Sequence, residues 1–526
     1  MKQMQTTISM RRSSMDLRTW IEDKVSRNHD RVFLIFEGRE YTYGEFDRNV
    51  NRVANALAGL GIGRGNKVGI ILPNIPEHLY IWLGAMKLGA MDVPINPQFK
   101  GKLLHDMVDH CGLDALVIDQ DIYDDIRGEV GSVNRKIVYA GKAGGVAADG
   151  VLCFSSLVKE ASGENPPVVD MKGGDVVSFI FTSGTTGLPK AAMLPHTYYI
   201  HHAEKWARIM HTSREDRFFC PLPLYHVVRV TGFMTALASE ASFVLGRRFS
   251  SSRFWDEARE TGFNVFAGHF AIYDMLLSMP ERPDDRENPL DKASAILPRC
   301  LDRFRERFGV DKCYNTFGMT EVGFPCIAAL EEGVAQDLCG PPGDDFEVKV
   351  FDDADEELPE GTVGEIVCRP KKQDIIFKGY YRQEEKTLEA CRNLWFHTGD
   401  LGYMEDGNLV FKERRSESIR RAGEFIPIDH TEEVLRSHPQ VKDAAICGVQ
   451  SEIGEQNVKA SVVLKDGATL EPEEFAAYCQ KHLPKFAVPR FVEFIDELPR
   501  TPGTEKVQRY KLRERGIEGA WDLGKH

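Results

Sequence analysis

Short apolar segments alternate with longer amphipathic segments along most of this chain of 526 residues. The apolar run at 68–72 follows a stretch in which the apolar residues between 50 and 57 recur at spacings of three and four. Such spacing is typical of one face of an α-helix, whereas short apolar runs such as 115–118 and 176–181 are typical of buried strands. Strands that alternate with helices build largely parallel sheets. The sequence therefore predicts an α/β fold.

The pattern changes between residues 340 and 412, where apolar and polar residues alternate along 346–351, 365–368 and 409–411. Turn-forming residues separate these segments. A period of two is typical of strands that have one buried face. We therefore expect a small antiparallel β unit in this part of the chain.

A run of charged residues at 413–417 follows the β unit. The remaining chain again has α and β patterns, with strands expected at 444–449 and 459–464 and helix starts near Thr431 and Glu471. We place a domain boundary at the charged run. The prediction is a large domain over residues 1–414 and a small domain over residues 415–526.

Charge and cysteine content limit the class of protein. The formal net charge is −14, which argues against a nucleic-acid binder, because such proteins usually present a basic surface. The 11 cysteines include no Cys-x-x-Cys pair, and scattered cysteines in a long chain fit a reducing cytosol. No apolar run is long enough to suggest a membrane helix, and the first twenty residues lack the apolar core of a signal peptide. We expect a cytoplasmic protein, and the oligomeric state stays open.

Residues 181–190 read FTSGTTGLPK and follow a predicted strand. Glycines let backbone N–H groups approach an anion closely, hydroxyl side chains add donors, and the lysine adds positive charge. The spacing differs from that of a Walker loop, which has four residues between its first glycine and a Gly-Lys pair. We interpret the segment as a phosphate-binding loop. A surface turn rich in turn-forming residues is the alternative.

Four further motifs follow in order, namely NTFGMTE at 315–321, WFHTGD at 395–400, Glu-Arg at 413–414 and RTPGTEK at 500–506. Together with the loop, in this order and at these separations, they resemble the adenylate-forming superfamily of acyl-CoA synthetases, luciferases and adenylation domains. The resemblance covers essentially the whole chain. Residues 283–290, 307–309 and 506–509 look most similar to the crotonobetaine/carnitine–CoA ligase branch.

The resemblance implies a large domain of two αβ sheet subdomains plus the β unit, followed by a small mobile α+β domain. It also implies an acid–thiol ligase. Such an enzyme uses ATP and Mg²⁺ to convert a small carboxylic acid into an acyl-adenylate, with release of pyrophosphate, and then transfers the acyl group to the thiol of CoA.

Two other functions stay open. In the first, the adenylate passes to a carrier-protein thiol or an amine, or the enzyme activates an unusual acid such as nitrite to diazotise an amine. In the second, the chain is a non-catalytic nucleotide-binding or scaffold protein on the same fold. The joint presence of Lys190, Glu321, Asp400, Arg414 and Lys506 argues against a scaffold, which would not need all five.

The resemblance assigns roles to individual residues around the phosphates. The loop residues that would bind the β- and γ-phosphates are Thr182, Ser183, Gly184, Thr185, Thr186, Gly187 and Lys190. Glu321 would hold Mg²⁺, because a carboxylate beside a polyphosphate needs a cation between the two. Thr320 would donate to the α-phosphate. The alternative for Glu321 is a solvated loop glutamate.

The remaining assignments concern the nucleoside and the acid. The residues implied to bind the nucleotide are Asn315, Thr316, Phe317, Gly318, Asp400 and Arg414, with Phe317 stacked on adenine. Lys506 would reach the acid and the α-phosphate during adenylation. His226 would lie beside the path of the acyl group and the thiol. A turn-forming role for Asp400 and a structural role for His226 are the alternatives.

The sequence departs from the family pattern at several positions. Residues 293–298 lack the glycine pair usual before the Gly-Met-Thr-Glu loop, and Gly503 looks like an insertion before Lys506. Ser416 and His430 replace residues usual at the hinge and at the start of a small-domain helix, and 268–270 is unusual for the acyl pocket. These departures leave the acid and the second nucleophile open.

Overall fold

The structure is a computed structural model that describes residues 15–139, 151–182, 189–331, 337–414, 419–421, 424–451, 456–500 and 507–525. Several residues named above lie outside these ranges, namely Ser183, Gly184, Thr185, Thr186, Gly187, Ser416, Gly503 and Lys506.

The α-helices of the described residues are α1 (Leu17–Asn28), α2 (Tyr43–Gly59), α3 (Pro76–Lys87), α4 (Gly101–Cys111), α5 (Gln120–Asp125), α6 (Phe154–Glu160), α7 (His196–Ile209), α8 (Thr235–Ala238), α9 (Phe254–Thr261), α10 (Phe270–Ser278), α11 (Pro298–Phe308), α12 (Glu384–Ala390), α13 (Ile428–Arg436), α14 (Pro472–His482) and α15 (Arg509–Glu514).

The strands are β1 (Val32–Phe36), β2 (Arg39–Thr42), β3 (Lys67–Ile71), β4 (Met91–Pro94), β5 (Ala115–Asp119), β6 (Lys136–Tyr139), β7 (Val151–Cys153), β8 (Val176–Thr182), β9 (Lys190–Pro195), β10 (Arg217–Cys220), β11 (Ser242–Leu245), β12 (Val265–Ala267), β13 (Lys292–Ser294), β14 (Lys312–Met319), β15 (Gly323–Ala329), β16 (Leu338–Gly340), β17 (Phe346–Phe351), β18 (Gly364–Pro370), β19 (Phe396–Glu405), β20 (Asn408–Arg414), β21 (Ile419–Arg421), β22 (Glu424–Ile426), β23 (Val441–Gln450), β24 (Gln456–Leu464), β25 (Phe491–Phe494) and β26 (Trp521–Asp522).

Two large sheets form the first part of the molecule. One has the order β7-β6-β5-β3-β4-β8-β9 and is parallel except for β9, which pairs antiparallel with β8. The other has the order β15-β14-β13-β12-β10-β11-β1-β2, in which only the edge strands β15 and β2 are antiparallel to their neighbours. The predicted α/β class is confirmed.

Helices α2 and α3 show how the local sequence forms the core. Thr42 and Glu45 close a capping box at the start of α2, which satisfies backbone N–H groups that the first turn leaves without a helical partner. The apolar face of α2 packs on α3, and almost every residue of α3 is buried. Trp82 of α3 is fully buried in the largest apolar cluster, which contains residues of both large sheets.

The remaining strands form smaller sheets. β16 to β20 make a five-stranded antiparallel sheet of order β16-β20-β19-β18-β17, which is the β unit predicted from the alternating pattern. β23 to β26 form a four-stranded sheet, and β21 and β22 form a separate hairpin. The boundary at residues 414 and 415 stays a prediction. No described helix is both long and apolar enough to cross a membrane.

Candidate active site

The candidate site lies at the carboxyl ends of neighbouring parallel strands. β10, β12, β13 and β14 are adjacent in the eight-stranded sheet, and the chain that leaves them carries most of the candidate side chains. Ligands of open α/β sheets bind outside the carboxyl ends of strands. The segments concerned are 221–229, 268–270, 295–297 and 320–321, with the end of β14 at 317–319.

Glu321 lies two residues beyond the end of β14 and is only 7% exposed. Its Oε1 accepts a hydrogen bond of 3.1 Å from the Thr182 hydroxyl and one of 2.7 Å from the Tyr380 hydroxyl. Its backbone carbonyl accepts from the N–H of Phe377 at 2.8 Å. Glu321 is therefore held in place both at its carboxylate and at its backbone carbonyl, and it lies next to Thr182, the last residue of β8.

Lys190 approaches the same cluster from the first position of β9. Its Nζ donates to the Tyr380 hydroxyl at 3.0 Å and lies 4.2 Å from the centre of the Tyr380 ring. Thr182 and Lys190 are paired across β8 and β9, so both ends of the predicted phosphate loop meet Glu321, Thr182 directly and Lys190 through Tyr380. The motifs predict three members of this cluster. They do not include Tyr380, which is 59 positions from Glu321 in sequence.

The other predicted residues of the 315–321 motif lie on β14 or just beyond it. Asn315 donates through its side chain to the carbonyl of Leu338 at 2.7 Å, and Thr316 donates to the carbonyl of Cys326 at 2.7 Å. Both side chains thus connect β14 to neighbouring strands, and Phe317 is buried at 5% exposure. Stacking of Phe317 on adenine stays a prediction.

Gly318 and Thr320 complete the motif. A Cβ atom at Gly318 would lie 2.6 Å from the carbonyl oxygen of Gly323, so the close approach of β14 and β15 requires glycine here. Thr320 is partly buried in the turn between Met319 and Glu321.

Asp400 and Arg414 lie opposite each other in the β unit. Their Cα atoms are paired across β19 and β20, and Asp400 is 7% exposed. The N–H of Asp400 donates to the Thr398 hydroxyl at 3.1 Å, and the preceding Gly399 has a φ of 70°, which favours glycine. The Arg414 side chain lies outside the described part of the chain. The backbone register brings the two positions together, and their contacts with ribose stay a prediction.

His226 contacts a residue that the motif analysis did not select. Its Nε2 lies 3.1 Å from Oε1 of Glu424 in the β21–β22 hairpin, and the Tyr225 hydroxyl donates to the same oxygen at 2.6 Å. Burial acts to raise the pKa of Glu424, but His226, Tyr225 and Arg420 outweigh it and hold the pKa below its usual range. Burial and the Glu424 charge raise the pKa of Tyr225. Glu424 is therefore a buried carboxylate that joins the hairpin to the segment after β10.

His269 lines the same region from the carboxyl end of β12. Burial, together with the nearby Arg420 and His226, holds its pKa well below the usual range. Its imidazole ring is therefore neutral at physiological pH and lies with its centre 3.9 Å from that of the Phe270 ring. Arg420 lies 5.5 Å from the Phe270 ring on the hairpin side.

Ala295 occupies the region where the glycine pair is absent. It has a φ of 57°, a left-handed conformation that glycine adopts easily and alanine does not. The flanking contacts hold it, because Tyr273 donates to the carbonyl of Ser294 at 2.6 Å and Ile296 donates to that of Tyr314 at 3.1 Å. The chain thus keeps a glycine-like backbone turn after β13 without a glycine.

Two family models and a group of relatives match this chain. Residues 21–381 match the family described as AMP-binding enzyme, and residues 430–503 match the AMP-binding enzyme C-terminal domain. A crotonobetaine/carnitine–CoA ligase of Salmonella typhi is 31% identical over 501 residues, which cover 92% of this chain and 96% of that protein.

Solved structures share the fold. An o-succinylbenzoate CoA synthetase of Bacillus subtilis superposes with a TM-score of 0.81 at 23% identity, covering 96% of this chain and 99% of that one. An amide bond synthetase of Marinactinospora thermotolerans gives a TM-score of 0.83 at 23% identity, covering 95% of this chain and all of the other.

Proposed function

This chain belongs to the AMP-binding enzyme family, and from that premise we propose that it activates a carboxylic acid with ATP and transfers the acyl group to the thiol of CoA. In the first step a carboxylate oxygen attacks the α-phosphorus, and the bond to the β-phosphate breaks to release pyrophosphate. In the second step the thiol sulfur attacks the acyl carbon and AMP leaves.

The observation that carries this proposal is the cluster of Glu321, Thr182, Tyr380 and Lys190. The Tyr380 hydroxyl contacts both the buried carboxylate of Glu321 and the ammonium group of Lys190, and Thr182 and Lys190 are the two ends of the loop between β8 and β9. Opposite charges fixed beside a phosphate loop suit the transfer of a phosphoryl group, in which catalysis depends on positioning and on stabilising charge. Lys190 would bind phosphate oxygens directly.

The donor set around Glu321 fits Mg²⁺. Among the described residues no group of three or more His, Cys, Asp or Glu side chains could hold a metal ion. Mg²⁺ typically takes one or two carboxylates and completes its coordination with phosphate oxygens and water. Glu321, with the Thr182 hydroxyl beside it, would therefore hold the ion together with ATP, and the ion would neutralise phosphate charge.

Two further parts of the proposal come from the motifs. Lys506 would supply positive charge between the acid and the α-phosphate, and Asp400 and Arg414 would bind the ribose. The chain would divide into a large domain over 1–414 and a small one over 415–526, which delivers Lys506. His226 would line the route of the acyl group and the thiol.

The direct test is release of pyrophosphate with a panel of acids, each assayed with and without CoA. The panel covers straight-chain, aromatic and betaine-type acids and includes nitrite. We expect ATP-dependent pyrophosphate release with at least one carboxylic acid and formation of an acyl-CoA. If pyrophosphate is released without a thioester and the acyl group is found on an added amine or carrier protein, that molecule is the acceptor in place of CoA. No release with any acid would overturn the proposal.

A further inference from the structure

Asn74 is a buried side chain that joins the two large sheets at the candidate site. It follows β3 of the seven-stranded sheet and is 6% exposed. Its Nδ2 donates to the carbonyls of Leu222 at 2.9 Å and Gly246 at 3.1 Å, which follow β10 and β11 of the other sheet. Its Oδ1 accepts from the N–H of Leu224 at 3.0 Å. The Asn74 amide therefore uses its two N–H donors and its oxygen acceptor on backbone groups that follow strands of the other large sheet.

The segment that Asn74 holds leads directly to Tyr225 and His226. Leu224, which donates to Asn74, is 2% exposed, and the N–H of His226 donates to the carbonyl of Pro223 at 3.1 Å. Leu224, which Asn74 holds, is only two residues before His226. The contact with Asn74 therefore constrains the backbone that carries the His226 ring. A displacement of Leu224 would move both rings that contact Glu424.

Arg229 fixes the other end of the same segment. Its guanidinium is fully buried and donates to Oδ2 of Asp92 at 2.6 Å and to the Ser178 hydroxyl at 2.7 Å. Asp92 and Ser178 belong to β4 and β8 of the seven-stranded sheet. Residues 221–229 leave one sheet but are held at both ends by residues of the other, and between these ends Tyr225 and His226 contact Glu424 of the hairpin.

We propose that Asn74 is a positioning residue that sets the place of His226 for acyl transfer, an inference that rests on the function proposed above. It touches neither Glu321 nor Lys190 and acts through the 221–229 segment. Its removal should therefore affect the step that uses His226 and leave the binding of ATP unchanged. Nothing in the motif pattern selects this residue, because its partners lie about 150 positions away in sequence.

The test is a double-mutant cycle of Asn74→Ala and His226→Ala with single-turnover transfer from adenylate to CoA as the readout. We expect Asn74→Ala to slow transfer by about 10- to 100-fold, the effect of a misplaced group, with the KM for ATP changed less than about twofold. In the His226→Ala background the same substitution should slow transfer by less than about twofold. Equal effects in both backgrounds, or a parallel rise in the KM for ATP, would overturn the proposal.

Asn288 provides the matched control. Its Nδ2 donates to the carbonyls of Asp285 and Phe308 at 2.8 and 3.0 Å, and its Oδ1 accepts from the N–H of Leu290 at 3.0 Å, so its side chain makes the same set of backbone hydrogen bonds in another part of the chain. Asn288→Ala should leave transfer and the His226 environment unchanged. If Asn74→Ala does not fold, Asn74→Asp, which keeps the acceptor for Leu224, takes its place.

A second readout does not depend on turnover. In protein labelled at histidine, the ring resonance of His226, assigned by its absence in His226→Ala, should shift in the Asn74 variant and not in Asn288→Ala. An unmoved resonance would overturn the inference even in an active enzyme. Pyrophosphate release by the wild type tests the proposed function independently of the role of Asn74.

Discussion

At the scale of single residues, Ala295 shows that a left-handed backbone conformation can occur without glycine. A left-handed conformation costs a residue with a Cβ roughly 1–2 kcal/mol relative to the right-handed one. The contacts of Ser294 and Ile296 with Tyr273 and Tyr314 hold the strained turn. The chain lacks the glycine pair at 293–298, but the conformation at this turn is the one that glycine favours.

We expect Ala295→Gly to leave stability unchanged or to raise it by up to about 1 kcal/mol, because relief of strain offsets the entropy that glycine adds to the unfolded chain. Ala293→Gly, in the buried part of β13, should instead lower stability by about 1 kcal/mol or more. Denaturant unfolding of both variants measures the difference. Equal losses in the two variants would show that Ala295 carries no strain.

Glu321→Gln tests the charge at the centre of the phosphate cluster. The amide oxygen can still accept from Thr182 and Tyr380, so we expect nearly normal stability. Adenylation should slow by about 10²-fold, the effect of removing one electrostatic stabiliser, and should require more Mg²⁺. Rapid-quench measurement of adenylate against Mg²⁺ concentration checks both effects. The control is Glu204→Gln, which removes the charge of a glutamate on α7 that accepts from Trp20. An equal loss of adenylation in that variant would contradict the assignment of Glu321.

At the scale of secondary structure, local patterns located most elements and long-range contacts defined the site. The predicted strands at 68–72, 115–118 and 176–181 correspond to β3, β5 and β8, and Glu471 is the N-cap of α14 as expected. Helix α13 begins at Ile428, directly after Pro427 and one turn before the predicted start near Thr431. Periodicity reports which face of an element is buried, but it carries no information on which distant loop that face meets.

Three residues illustrate that limit. Tyr380, Glu424 and Asn74 contact the candidate site from positions 59, 198 and about 150 residues away from their partners in sequence. None lies in a motif that carries the resemblance. Their roles depend on the order of strands in two sheets and on the place of the hairpin, which a single sequence does not specify. The motif residues could be predicted because substrate chemistry restricts their types and spacing.

Asp345 connects α7 to the β unit and gives an expected pH dependence. It accepts from Lys205 at 2.8 Å and lies 2.7 Å from Nε2 of His201, with the carboxylate almost fully buried. Burial acts to raise the pKa of Asp345, but His201 and Lys205 lower it more, so that its pKa lies well below the usual range. A depressed pKa stabilises the fold above the unfolded pKa, and the stabilisation is lost as the pH falls through the folded value.

Asp345→Asn should lower the free energy of unfolding at pH 7 by about 3 kcal/mol, because Lys205 stays buried without its counter-charge. The difference from wild type should shrink as the pH falls below about 4, where the wild-type carboxylate begins to lose its advantage. Guanidinium unfolding of both proteins at several pH values between 7 and 3 measures this difference in the free energy of unfolding. Asp344→Asn, whose side chain is 70% exposed, should have no comparable effect. A difference that is constant with pH would show that charge at Asp345 does not contribute.

At the scale of the whole molecule, the described residues after 419 contact segments that follow strands of both large sheets. The Phe99 and Phe486 rings lie 6.1 Å apart at one of them, and Glu424 contacts Tyr225 and His226 at the other. The first contact is apolar and the second is a buried charge that is hydrogen-bonded to two side chains. Glu424 is therefore a specific ionisable contact between the β21–β22 hairpin and the segment after β10.

Glu424→Gln tests whether this contact sets the orientation used for acyl transfer. The substitution removes the negative charge that contacts Tyr225 and His226, so the hairpin should dock less firmly, and we expect transfer to CoA to slow by about tenfold while adenylation stays within about twofold. Because the pKa of Glu424 is held low, the wild-type contact should persist at neutral pH and weaken as the pH falls below about 4.5. The Glu424→Gln variant should lack that pH dependence, which hydrogen exchange of the β21–β22 amides can follow.

The control is Glu473→Gln, at a glutamate that accepts from Trp521 in the same part of the chain. If both half-reactions slow together, the contact supports the site as a whole, and the orientation of the hairpin does not select between the two steps.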